Sequence, residues 1–221
     1  YIDTVIGKVL ENEKLILAFT LASIALLPLS ASPSRVGVQG FSSHTSKTTT
    51  YTTGVVTYKE KSTADLGGIN IAGSFYPGDS SFGIGAQFGA AKLYKATNGS
   101  SEEDVSDYPL TWRGGASALY HLGMSDKSAL EFGMGLLFER MTRSANSGSS
   151  EVLFTLDSLS LATTANLLVS LSDNLSLVGG ITAISNLRTN GQVASGSFSY
   201  DRDFKVSGYT LQGQAGVAFN I

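Results

Sequence analysis

The chain has no cysteine in 221 residues, only 4 prolines, 2 histidines, and a charged fraction of 15%. The missing cysteine excludes disulfides, thiolate metal sites and cysteine nucleophiles. Two histidines without cysteine give no zinc-site spacing. No metal and no cofactor is therefore expected. Soluble globular domains carry about 25% charged residues, so this chain is poor in charge for a soluble surface. Its net charge of −3 gives no reason to expect a nucleic-acid partner. No glycine-rich phosphate loop follows a strand and opens a helix. Long apolar runs are scarce too: there is one, although 42% of residues are hydrophobic and mean hydropathy is +0.11. Apolar residues are spread along the chain, which excludes a bundle of spanning helices.

The single run is Leu15 to Leu29, interrupted by Thr20, Ser23 and Pro28. Glu13 and Lys14 precede it, and the small residues Ser30, Ala31 and Ser32 follow. A charged start, a short apolar core and a small-residue cleavage region make a secretory signal peptide. The run is also short of the roughly 20 residues that a spanning helix needs. Residues 1–32 are expected to be the signal peptide with upstream residues, and 33–221 a transmembrane β-barrel. Because Tyr1 to Lys8 lie upstream of an ordinary signal start, translation is expected to begin within residues 5–10, for instance at Val9.

After Pro33 the dominant period is two, the mark of strands with two unlike faces. At the end of the chain Tyr209, Leu211, Gly213, Ala215, Val217, Phe219 and Ile221 share one face, and Thr210, Gln212, Gln214, Gly216, Ala218 and Asn220 the other. A membrane barrel turns the apolar set to lipid and keeps polar or small residues in the lumen. Eight such segments are expected, near 35–45, 64–76, 82–94, 108–122, 129–142, 152–171, 175–188 and 204–221. The sixth is the least regular, with a slip near Asp157 that suggests a bulge or a loop excursion. Connections alternate between tight turns (77–81, 123–128, 172–174) and longer polar links (46–63, 95–107, 143–151, 189–203). Short periplasmic turns and longer outer loops are the pattern of a bacterial barrel. The fold class is therefore all-β, an eight-stranded antiparallel up-and-down transmembrane barrel behind a helical signal segment.

Such a barrel has an interior only just wide enough for side chains. Gly83, Gly85, Gly89, Gly115, Gly133, Gly135 and Gly216 are expected in the lumen, leaving space for larger polar neighbours. If the hairpin of the fourth and fifth segments turns around Asp126, Arg113 lies opposite Glu139 and His121 opposite Glu131, all on the lumen face. A charge buried alone is costly, so these four should form a network, with Gln87, Gln212 and Gln214 nearby. Its bland role is structural; its sharper role is a proton path or narrow polar pore.

The final residues carry a resemblance. Gln214, Gly216, Phe219 and Ile221 look like the outer-membrane insertion signal: a polar residue, glycine two later, then hydrophobics ending the strand. With the eight-strand rhythm, residues 33–221 resemble the small outer-membrane barrels of the OmpX, Ail and opacity-protein type, and the OmpA transmembrane domain. The resemblance implies a location in the bacterial outer membrane after export through the periplasm. It also implies recognition by the barrel assembly machinery and contact with outer-membrane lipid and lipopolysaccharide. It strongly implies architecture and says little of activity.

Some small barrels are enzymes, and such sites need a nucleophile and a base within reach. A lipid-deacylating pattern asks for a lipid-accessible His and Ser two residues apart, with a carboxylate. Residue 123 is Gly, so His121 fails it; His44 has Ser42 and Ser46 on either side, in a stretch where serine is common. The acidic residues Glu102, Glu103, Asp104 and Asp107 fall in one link and read as a solvated loop, with a weak cation site as the sharper alternative. Tyr94, Tyr108, Trp112, Phe138, Phe204 and Tyr209 fit an aromatic girdle. Tyr51, Tyr58, Phe198 and Tyr200 stand in outer links where a surface ligand would meet them. The leading reading is a non-enzymatic barrel with a structural or surface-interaction role and a lumen filled by a polar network. The alternatives are a narrow pore for ions or small solutes, a lipid-modifying outer-membrane enzyme, and a soluble ligand-binding barrel with its apolar face inward.

Overall fold

The computed structural model describes residues 34–221 apart from 54, 55, 79, 107, 148, 149, 196 and 197; the side chains of 51–58, 144–151 and 196–205 are also outside the description. The expected signal peptide over 1–32 therefore lies outside the described residues.

The chain forms β1 (Arg35–Thr53), β2 (Val56–Phe75), β3 (Phe82–Asn98), the short β4 (Ser101–Glu103), β5 (Thr111–Ser125), β6 (Ser128–Ser147), β7 (Ser150–Ser172), β8 (Leu175–Ser195) and β9 (Phe198–Asn220). Each long strand pairs antiparallel with its neighbours, and β9 closes on β1. β4 is a side ribbon that folds back on the edge of β3 after a turn at Gly99, whose φ of 61° suits glycine. The wall is thus a closed ring of eight strands without a free edge.

The stagger of the ring follows from the register. Arg35 pairs with Ser74, and the pairings run on through Gly85, Ser117, Gly135, Ala162, Ile184 and Thr210 to Thr45. One circuit returns to β1 ten residues along (45 − 35). For eight strands this corresponds to a tilt of about 40° and an interior that side chains alone can fill.

The period-two pattern fixes which face is which. Ile69, Phe82, Ile84, Ile181 and Phe219 point out and are more than half exposed, while Asn70, Arg113 and Gln212 point in and are at most 2% exposed. Apolar residues cover the outside in a continuous band, far beyond the few hundred Å² that soluble proteins leave bare. This is a lipid-facing wall.

The strands reach further than the apolar alternation. The β1–β2 ribbon continues from Arg35 opposite Ser74 to Thr53 opposite Val56, so most of the polar link expected at 46–63 is paired strand. The links at 143–151 and 189–203 are likewise mostly strand. Above the membrane both faces are wet, so the alternation fades while Thr-rich backbone keeps pairing. The irregularity expected near Asp157 is at Leu159/Ser160, where β8 carries Leu187 as an extra residue. Asp157 itself faces outward and takes two hydrogen bonds of 2.7 Å from Arg140.

The lumen is less polar than the pattern suggested. Ala129, Leu168, Val178 and Ala218 form one buried apolar cluster, and Leu137, Ala162 and Ile184 another. The lumen glycines answer to crowding. A Cβ at Gly83 would press on the Phe75 backbone oxygen and come within 2.6 Å of the Tyr76 ring, and at Gly115 the nearest atom is the Leu136 backbone oxygen, at 2.6 Å. Neighbouring backbone takes the space more often than a polar side chain does: it is nearest at Gly83, Gly115, Gly135 and Gly216, a polar side chain only at Gly85 and Gly89.

Two adjacent glycines test this. Gly180 faces the lumen, where a Cβ would press on the Ala165 oxygen at 2.5 Å and on the Asn166 side chain; around Gly179 nothing lies within 4 Å. Gly180→Ala should cost about 1–3 kcal/mol and Gly179→Ala no more than about 0.5 kcal/mol, read by urea unfolding in lipid vesicles. Equal losses would contradict the assigned faces.

Candidate functional site

The lumen holds a continuous polar chain built on two arginines. In ring order (β1, β2, β3, β5, β6, β7, β8, β9) β1 and β6 stand four places apart, as do β5 and β9. Arg35 on β1 crosses to Glu131 on β6, with Nη2 donating to Oε2 at 3.1 Å. Arg113 on β5 crosses to Gln212 on β9, with Nη1 donating to Oε1 at 2.7 Å. Each arginine is therefore a strut across the full width of the barrel.

Amides link the struts. Gln212 donates to Gln214 at 2.9 Å, Gln214 to Asn166 at 2.8 Å, and Asn166 to Glu131 at 3.4 Å. Every amide turns its carbonyl toward Arg113 and its NH₂ toward Glu131. Their dipoles run head to tail between a cation and an anion, an order in which each bond polarises the next. Around the Arg35 end, the Tyr76 hydroxyl donates to Glu131 Oε2 at 2.5 Å, and Arg35 Nη2 donates to His121 Nδ1 at 3.3 Å. The Tyr76 and His121 rings meet edge-on with centroids 5.5 Å apart. Because Nδ1 accepts from a guanidinium, this arrangement holds the neutral imidazole.

Arg113 is tied less completely. Its Nε lies 3.8 Å from Glu139 Oε1, and its guanidinium stacks on the Phe41 ring at 4.4 Å. Among the described residues Arg35 Nε and Arg113 Nε and Nη2 have no hydrogen-bond acceptor. The ring face of Phe41 supplies part of what Arg113 lacks.

The register puts Arg113 opposite Glu139 and His121 opposite Glu131. Of the expected network, Arg113, Glu139, Gln212, Gln214, Glu131 and His121 fall in one chain. His121 and Glu131 meet through Arg35 rather than directly. Gln87 stands apart and accepts from Asn70 at 3.3 Å. Arg35, Tyr76 and Asn166 were not expected. Strand parity marks them: Arg35 shares the face of Gln39, Tyr76 that of Asn70, and Asn166 lies between outward Ala165 and Leu167.

Two cavities meet at Arg35. One of about 90 Å³ lies deeper, lined by Gln39, Gln87, Glu131, Asn166 and Gln214; another of about 130 Å³ opens at the short-turn end, lined by His121, Asp126, Ser128 and Asn220. Arg35 lines both. The Arg113 layer caps the deeper one, with Leu137 and Gln212 at most 1% exposed.

The remaining candidates scatter. Phe219 and Ile221 point out, whereas Gln214 and Gly216 point in, Gly216 opposite Gln39. Trp112, Tyr94 and Tyr209 are exposed on the outer wall, as a girdle requires. Tyr108 is not part of it: its hydroxyl donates to Glu103 at 3.2 Å and Arg143 covers its ring at 4.4 Å. In the acidic link the Ser106 amide holds the Asp104 carboxyl below its usual value, while Glu102 is paired in β4 and Asp107 lies outside the described residues. Among the described residues no three His, Asp or Glu are grouped to hold a metal. The side chains of Tyr51, Tyr58, Phe198, Tyr200 and Phe204 are outside the description.

No family model matches the sequence, and no curated protein matches it. Solved structures do. A major outer membrane protein from Thermus thermophilus is 10% identical with a TM-score of 0.52, covering 86% of this chain and 100% of its own. Neisserial surface protein A is 15% identical with a TM-score of 0.50, covering 87% of this chain and 99% of its own. The N-terminal β-barrel domain of Pseudomonas aeruginosa OprF is 16% identical with a TM-score of 0.45, covering 87% and 100%. At these identities the likeness is one of fold. Fold and outward apolar band together define an eight-stranded transmembrane β-barrel, the fold of these outer-membrane proteins.

The two carboxylates of the network should differ. Glu131→Gln removes the anion that Arg35 touches and should cost about 3–5 kcal/mol. Glu139 is 26% exposed at the side chain and sits at longer range, so Glu139→Gln should cost less than about 1 kcal/mol. Denaturant unfolding in vesicles gives both values, and the reverse order would overturn the assigned network.

Proposed function

We propose that the protein is an envelope barrel whose lumen is sealed and performs no chemistry, and whose work is structural and at its outer surface. The observation that carries this is the pair of arginine struts, each spanning the lumen: Arg35 to the Glu131 carboxylate and Arg113 to the Gln212 amide. A group that braces opposite walls resists both flattening and flow. Among the described residues nothing in the lumen pairs a nucleophile with a free base: His121 accepts from Arg35 and its neighbours are Tyr76 and Glu131. The paired strands beyond the apolar band form an outer rim available to a surface ligand, and the lipid-facing wall meets outer-membrane lipid and lipopolysaccharide. Gln214, Gly216, Phe219 and Ile221 serve as the signal that the assembly machinery reads. Gln214 has a second duty as a link between the struts.

One observation favours a narrow pore as the second reading. A single layer, that of Arg35, separates the deeper cavity from the one at the short-turn end. Single-channel recording of the refolded barrel in a planar bilayer separates the two. A silent wild type, with openings appearing only when Arg35→Ala and Arg113→Ala are combined, is the expected result. Steady wild-type openings would overturn the sealed lumen.

A further inference from the structure

The mouth of the lumen at the short-turn end holds hydrogen-bond donors that the network leaves unused. Arg35 is deeply buried, with 7% of its side chain exposed. Its Nη2 serves Glu131 at 3.1 Å and His121 at 3.3 Å. Its Nε is enclosed by protein without an acceptor. Nη1 has no acceptor among the described residues either, and it is the edge left to face the cavities that Arg35 lines. His121 Nδ1 accepts from Arg35, so the ring proton sits on Nε2, which has no partner among the described residues. Ser170 and Ser176 stand opposite each other on β7 and β8, and both line the mouth. Neither hydroxyl has a partner among the described residues, although Ser176 is only 3% exposed. Buried polar groups without partners are costly and rare.

The charges divide unevenly between the two cavities. Glu131 lines the deeper one and not the one at the mouth. Tyr76 and Asn166 also donate to its carboxylate, which holds it on the deeper side. The mouth therefore meets a guanidinium whose counter-ion lies behind it. The one carboxylate on the mouth lining is Asp126, exposed at the turn beside exposed Lys127, where water and salt screen it. Ser125 and Ser128 satisfy each other at 2.7 Å. At about 130 Å³ the cavity is roughly ten times what a single water needs. It has room for a polyatomic ion with part of its hydration.

We propose that the short-turn mouth is a binding site for a small oxyanion, a carboxylate or phosphate group, held by Arg35 Nη1, His121 Nε2 and the hydroxyls of Ser170 and Ser176. These donors come from β1, β5, β7 and β8, so the closed ring itself assembles the site. Hydrogen bonds to an ionised acceptor are shorter and stronger than neutral ones, and a guanidinium can serve Glu131 on one edge and a second anion on another. The short turns face the periplasm in bacterial barrels, which makes that compartment the source of the ligand. This goes beyond the sealed lumen, which assigns no ligand to either end.

The test uses the full barrel refolded in a maltoside detergent, which carries no anionic group, with folding checked by heat-shift on a gel. Backbone-amide NMR follows a titration with inorganic phosphate and another with acetate, against sodium chloride at matched ionic strength. Saturable shifts centred on Arg35, His121, Ser170 and Ser176 are expected with at least one of the two anions and not with chloride. Ser176→Ala and His121→Leu should each weaken the apparent Kd by about 10-fold or more. His121→Gln, which keeps an N–H, should retain most of the affinity, and Leu177→Ala on the lipid face should leave it unchanged. A short peptide with a free C-terminus, compared with its amidated form, separates the sources. Saturation by the free-carboxylate peptide alone assigns a chain terminus; no binding of either peptide, with the inorganic or acetate shifts present, assigns a free ion, and both support the site. Absence of saturable shifts, shifts that chloride reproduces, or unchanged affinity in both Ser176→Ala and His121→Leu would overturn it. Conductance recordings read the Arg113 layer beyond the deeper cavity, so the two readings fail separately.

Discussion

Closure of eight strands with a stagger of ten residues is the constraint on which the rest depends. It makes a lumen too narrow for bulk water and too wide for backbone alone. Inward polar groups then pair either on the next strand, as Gln87 does with Asn70, or across the lumen, where the pairs are set by which strands face each other. Arginine suits that task because its long side chain and fixed fork of donors span a diameter and still meet a carboxylate or amide. Shorter groups, such as Asn166 and Gln214, fill the interval between the struts.

Much of the wall was legible in the sequence. The apolar alternation located all eight strands, and the charges on β5 and β6 located their register, because Arg113 and Glu139 can neutralise each other only when the hairpin turns near Asp126. Strand ends were not legible. The apolar signal stops at the membrane boundary, whereas backbone pairing runs on past it, as far as Thr53 opposite Val56.

The network was legible in part, for a related reason. Pairing along one hairpin is a local matter of counting, so Arg113 and Glu139 could be joined from sequence. Pairing across the diameter depends on closure and stagger, and no local pattern states them. Arg35 stands 96 residues from Glu131, and Arg113 stands 99 from Gln212. Tyr76 was missed because it follows the last paired residue of β2, although its parity was correct. On the outer wall, His44 showed only flanking serines in the sequence. The β1–β2 register places Asp65 opposite His44, where the two side chains meet.

The closing strand, β9, supplies Gln212 and Gln214, and with them the route from Arg113 to Asn166. Until β9 docks on β1, the Arg113 guanidinium lacks its strongest acceptor and the Asn166 carbonyl lacks its donor. A seven-stranded intermediate in the bilayer would hold these groups in an unsealed, half-polar groove open to lipid. The chain therefore has little to gain from entering hydrocarbon strand by strand. Its energetics favour a sheet that gathers at the interface and crosses as one body, with the polar interior zipped at the moment of sealing.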